Sequence, residues 1–141
     1  MVTTRLVPGP LPSFDRRPPG EGTGAEVTFH GRVRGEEQGR KIVALDYEAY
    51  TGMAEKELRA IGEEAAKEYS IQDLFCDHRV GEVPVGEVSL RLVIWSRHRG
   101  AALEAVAWFI KQLKERVPIW KWGITADGER FPSRGASHAH P

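Results

Sequence analysis

Arg97-His98-Arg99, Lys114 and Lys121 are the residues whose type and position could carry chemistry in this chain. The first three stand where an alternating apolar run stops and a helical pattern begins. Backbone N–H groups are free at such a junction, and added positive charge there favours an anionic ligand. A solvated turn is the plainer alternative. Cations oppose the dipole at a helix N-terminus, however, so stability alone does not select two arginines there.

Lys114 extends the row Leu103, Ala107, Ile110 by one helical step, which puts it at the edge of an apolar stripe. The competing reading is a snorkelling lysine that complements a helix C-terminus. Lys121 lies between Trp120 and Trp122. Their indoles could shield its ammonium, lower its pKa and suit it to proton transfer or anion recognition. The same tryptophans would serve equally as core and rim of an oligomer interface.

Other candidates read as structural. His30 and His78 fall on alternating segments, and Cys76 sits on the apolar side of its own, as a small core residue would. His138 and His140 could hold a metal, but further ligands are missing and a frayed polar terminus explains them. Walker, dinucleotide, nucleophile-elbow and His-Glu-x-x-His motifs are absent. Arg32, Arg34, Arg40 and Lys41 add positive charge around the first pair of extended segments.

The elements that must position these residues follow from periodicity. Ala25, Val27, Phe29, Gly31 and Val33 alternate with polar residues, which predicts a half-buried strand. Residues 35–41 form a polar loop, and Val43, Leu45, Tyr47 and Ala49 mark a second strand, paired with the first as a hairpin. Thr51 is a plausible N-cap for an amphipathic helix with Ala54, Leu58, Ile61 and Ala65 inside, ending near Tyr69. Leu74, Cys76, His78 and Val80 alternate, as do Val88, Leu90, Leu92 and Ile94, with residues 81–86 as a turn or short irregular excursion between them. A second helix runs from about residue 100 to 116, with Ala102, Val106, Phe109 and Leu113 inward. Pro118 stops it, and residues 119–124 are a short strand or loop.

The order β-β-α-β-β-α-β predicts an α+β fold, helices packed on a mainly antiparallel sheet. Residues 1–24 read as a Pro/Gly-rich arm and loop, 25–131 as the folded domain and 132–141 as a flexible tail.

Composition narrows the function. The 141 residues carry 20 Lys+Arg and 20 Asp+Glu, so a general polyanion-coating protein is excluded while a local basic pocket is not. An RNA-binding module lacks both a basic excess and an aromatic signature. A single cysteine excludes a disulfide framework and points to a reduced, cytoplasmic setting. Neither a signal peptide nor a membrane span is legible.

Five segments, taken in order, carry a resemblance. They are Val27-Thr28-Phe29-His30-Gly31-Arg32-Val33-Arg34; Leu45-Asp46-Tyr47-Glu48-Ala49-Tyr50 with Met53-Ala54-Glu55; His78-Arg79-Val80-Gly81-Glu82 with Gly86-Glu87; Ser96-Arg97-His98-Arg99; and Lys114-Glu115-Arg116-Val117-Pro118-Ile119-Trp120-Lys121. Together they closely resemble the large, catalytic subunit family of molybdopterin synthase. The resemblance implies an α/β hammerhead fold and a homodimer within a heterotetramer. The partner would be a ubiquitin-like sulfur-carrier small subunit whose C-terminal thiocarboxylate delivers sulfur to cyclic pyranopterin monophosphate. Two transfers would form the dithiolene of molybdopterin, with no cofactor or metal on the enzyme.

Carried over by motif, Lys114 and Lys121 would be catalytic. Arg34, His98 and Arg99 would bind the substrate phosphate and pterin, with Arg32 and Val33 lining the same site. Phe29 and Arg130 are further candidate lining residues. The family commonly has a basic residue and a glutamate after the Trp-Lys pair. Trp122 and Gly123 stand there instead, which alters the charge balance around Lys121; Trp122 is a candidate to stack on the pterin, and both are assigned to the substrate site. The alternative is a non-catalytic scaffold that binds the carrier without turnover.

Overall fold

The computed structural model describes residues 1–133. His138 and His140, and most of the expected tail, lie outside the described residues.

The centre of the molecule is made by two nine-residue strands, β6 (Ile71–Arg79) and β8 (Val88–Ser96), paired antiparallel. Alternation along them serves two cores. Leu74, Cys76, Leu92 and Ile94 face the helices and are fully buried, while Phe75, Val93 and Trp95 face the other way. Two flanking strands complete this sheet in the order β1-β6-β8-β2. β2 (Ala25–Arg32) is antiparallel to β8, and β1 (Val2–Val7) is parallel to β6.

α1 (Thr51–Glu68) buries Ala54, Leu58, Ile61 and Ala65, the stripe expected from its spacing. Thr51 is its first helical residue rather than its cap; Tyr50 holds the cap position, without a side-chain cap bond. Gly62 lets α1 approach β1, since a Cβ there would stand 2.6 Å from Val2 Cγ1. α2 (Arg99–Arg116) buries Ala102, Ala105, Phe109 and Leu113, with Ala105 in the place expected for the half-buried Val106. Arg116 ties the helices together through Glu57 (2.6 Å) and Glu64 (2.7 Å) of α1.

A second sheet is wholly antiparallel, in the order β10-β9-β5-β7. Its strands are β5 (Ala44–Ala49), β7 (Gly81–Pro84), β9 (Ile119–Ile124) and β10 (Arg130–Ser133). A small ribbon of β3 (Glu36–Glu37) and β4 (Arg40–Lys41) lies beside it.

The α+β class and the mainly antiparallel pairing stand, but the sheet is two sheets. β5 is not the hairpin partner of β2. The ribbon carries the chain between sheets, and β5 pairs with β7 and β9. Residues 81–86 contain strand β7, not only a turn. Within the expected arm, Val2–Val7 is a strand; residues 8–24 hold no helix or strand, and Phe14 packs on Phe75 and Trp95. Pro132 and Ser133 belong to edge strand β10, a position that tolerates a proline's missing N–H. Among the described residues no helix is long and apolar enough to cross a membrane.

Candidate active site

Strand alternation on β9 decides which of its side chains meet. Lys121 and Gly123 lie opposite Tyr47 and Leu45 of β5, and all but the glycine line a cavity of about 430 Å³. The floor is apolar, from Leu45, Ile110, Leu113 and Ile119. The walls bring Phe29 and Arg32 from β2, Arg34 from the next loop, Glu37 from β3 and Lys114 from the last turn of α2. Thus Lys114, Lys121, Arg34, Arg32 and Phe29 share one cavity within a single chain.

Lys121 is half-buried, and loss of water is the main reason its pKa falls below the ordinary lysine value. The cations Lys114 and Arg34 push it the same way, and Glu37, 3.4 Å away, opposes them. Arg32 is anchored by donating from Nη1 to the Gly86 carbonyl (2.7 Å). Arg34 and Lys114 are exposed and have no ion-pair partner among the described residues, which leaves their charge available to a ligand.

His78 lines the same cavity and is buried. Its Nδ1 lies 2.7 Å from the Arg79 carbonyl, which can only accept, so Nδ1 carries the proton. Burial pushes its pKa down to about 4, so the ring is neutral at neutral pH with an unprotonated Nε2. Tyr47 meets it edge-on at 5.2 Å and its hydroxyl is 3.3 Å from Ser89 Oγ, burial raising the phenol above its ordinary range. His30 is exposed at the rim and accepts from Arg91 Nε at 3.3 Å. Burial, Arg91 and Arg32 lower its pKa. Cys76 is fully buried among apolar side chains and its thiol is pushed up, which leaves it inert as a nucleophile.

Several expected site residues lie elsewhere. Trp122 and Arg130 are turned to the opposite face of the second sheet. There the Arg130 guanidinium covers the indole at 4.3 Å and pairs with Asp46 at 2.7 Å, and Trp122 Nε1 donates to Glu48 at 2.9 Å. The indoles therefore do not shield Lys121; the cavity walls do. Gly123 faces the right way but is covered by Phe131, since a Cβ would stand 2.5 Å from that ring. Val33 is a core residue with Ile42, Leu45, Val83 and Phe131. His98 and Arg99, with Gly24, Arg97 and Gly100, line a separate cavity of about 440 Å³ at the start of α2.

Glu37, Tyr47, His78 and Ser89 are cavity residues the sequence did not assign to the site. The inward alternation of β5 could have found Tyr47, and that of β6 could have found His78. Nothing in the polar stretch around Glu37 distinguishes it from Glu36.

Fold and cavity define a class: an α+β domain gathering cationic side chains over an apolar floor, suited to a small anionic substrate. The chain belongs to the MoaE protein family, whose sequence profile matches residues 12–116. It is 46% identical over 107 residues to the molybdopterin synthase catalytic subunit of Pyrococcus abyssi, covering 76% of this chain and 72% of that protein. The same subunit from Thermoplasma volcanium is 45% identical over 105 residues, 74% of this chain and 77% of that one. Among solved structures, molybdopterin synthase from Staphylococcus aureus superposes with a TM-score of 0.79 at 36% identity, covering 89% of this chain and 93% of that chain.

Proposed function

We propose that this chain is the catalytic subunit of a molybdopterin synthase, moving sulfur from the thiocarboxylated C-terminus of a ubiquitin-like small subunit to cyclic pyranopterin monophosphate. The observation that carries the reading is Lys114, Lys121 and Arg34 in one cavity, in a chain so similar to such subunits. A phosphorylated substrate and a thiocarboxylate repel each other, and converging cations reduce that repulsion. They also stabilise negative charge developing at the attacked carbonyl. Lys121, with its lowered pKa, is suited to move a proton as oxygen leaves the pterin. The residues provide this chemistry without a metal or cofactor of their own.

His98 and Arg99 enter this reading through assembly. If they bind the same substrate, a second copy must bring them, because within one chain they line a different cavity. A homodimer with one small subunit at each lysine cavity satisfies this. Assayed at substrate well below the wild-type KM, where both parent dimers are impaired, mixing Lys121→Ala and Arg99→Ala chains should then restore about a quarter of the wild-type sites, since only mixed dimers hold one intact site.

The decisive experiment is reconstitution of the purified chain with thiocarboxylated small subunit and substrate. Molybdopterin is the expected product, and Lys121→Ala lowers its formation by about 10²- to 10⁴-fold while the fold persists. A chain that binds the small subunit with normal affinity and gives no product is a scaffold instead.

A further inference from the structure

Among the described residues, one carboxylate stands beside Lys121. Glu37 ends β3, in a ribbon whose neighbours Glu36, Gln38 and Gly39 face water. Glu37 alone of these is turned inward and is 7% exposed. Its Oε2 accepts a hydrogen bond from Ser133 Oγ of β10 and lies 3.4 Å from Lys121 Nζ. A carboxylate withdrawn from water is tolerated only when its charge and lone pairs are matched. Here the match is the candidate catalytic lysine itself.

The surroundings hold the ribbon in place. Arg40 of β4 pairs with Glu129 at 2.7 Å and covers the Phe131 ring at 4.2 Å. Phe131 in turn occupies the space over Gly123, so β9 has no room for a carboxylate of its own two residues beyond Lys121. The negative charge at this point comes from the ribbon.

We propose that Glu37 is a positioning residue for Lys121, fixing the ammonium within the cavity and balancing its charge before substrate binds. This rests on the reading of Lys121 as a catalytic group. The other groups around Lys121 work against its charge or leave it unaided. Lys114 of α2 and Arg34 of the β2–β3 loop repel it, and His78 of β6 and Tyr47 of β5 are neutral at neutral pH. Glu37 is the opposing charge that keeps a half-buried amine protonated among cations.

The test replaces Glu37 with Gln and reads Lys121 by a method independent of turnover. Acylation of Lys121 by acetic anhydride is followed against pH by peptide mass, in the full chain. The Glu37→Gln midpoint should move to lower pH by about one unit or more. In the reconstituted enzyme kcat should fall about 10- to 100-fold with KM changed much less, and Glu37→Asp should recover part of the loss. An unmoved midpoint in folded Glu37→Gln overturns the proposal. A moved midpoint in a chain that never yields molybdopterin upholds the pairing and overturns the functional reading instead. Should Glu37→Gln fail to fold, Glu37→Asp draws the carboxylate back from Lys121 by one methylene. A midpoint moved the same way supports the proposal, and an unmoved one overturns it.

Discussion

The two cationic cavities are almost equal in volume and opposite in construction. One draws Arg34, Lys114 and Lys121 from distant parts of the chain and sets them over an apolar floor. The other is a single strand-to-helix turn, in which Arg97, His98, Arg99 and Gly100 are all exposed, closed by Gly24. Withdrawal from water makes the first a place where protonation can be adjusted, as Lys121 and His78 illustrate. The second leaves its side chains in solvent, where long-range attraction of anions is screened by salt.

The largest expected contrast is catalytic. Lys121→Ala should lower turnover by about 10²- to 10⁴-fold in reconstitution. Arg99→Ala should act mainly on KM, by roughly tenfold, as loss of one charge-assisted contact does. Equal losses in kcat would erase the distinction between the cavities.

Next comes pH. His78 has a folded pKa near 4 and an unfolded value of about 6.5, so the unfolded chain binds the extra proton between them. Stability should therefore fall as pH drops from about 6.5 to about 4, by roughly 3 kcal/mol from this residue. Urea midpoints of wild type and His78→Asn across that window isolate the contribution; identical slopes would disprove the buried neutral ring.

Packing should separate the regions more modestly. Gly123→Ala forces a methyl into the Phe131 ring and should cost about 1–3 kcal/mol in thermal or urea unfolding. Gly100→Ala has nothing within 4 Å and lies in a helix, so it should be neutral or stabilise by up to about 1 kcal/mol. The smallest effect is salt. The loss caused by Arg99→Ala should shrink between low and high ionic strength, while that of Lys121→Ala should hardly change.

These cavities also differ in how far they can be read from sequence. The Arg97-His98-Arg99 cluster is contiguous, so its position at a helix start was legible from local pattern alone. α1, α2, β6 and β8 were legible for the same reason: local periodicity coincides with the face each element buries. β7 was hidden because it is four residues long and bracketed by Gly81 and Gly86, both at positive φ, which read as turn. β1 was hidden by its closeness to a Pro/Gly-rich segment. The partner of β5 is set by tertiary pairing with β9, which no short link announces.

Within the lysine cavity, adjacency in sequence misled. Trp122 and Gly123 follow Lys121 directly, but strand geometry sends the first to the far face and Phe131 covers the second. Glu37 was illegible because its burial depends on Ser133 and Lys121 arriving from the other end of the chain.

That last dependence has a kinetic consequence. Glu37 and Ser133 are 96 residues apart, so their contact closes a long loop before it returns any stabilisation. The lysine cavity has no local precursor; it arises only when both sheets and α2 have docked. Partly folded chains present no such cavity, and an anion bound there stabilises only the finished fold.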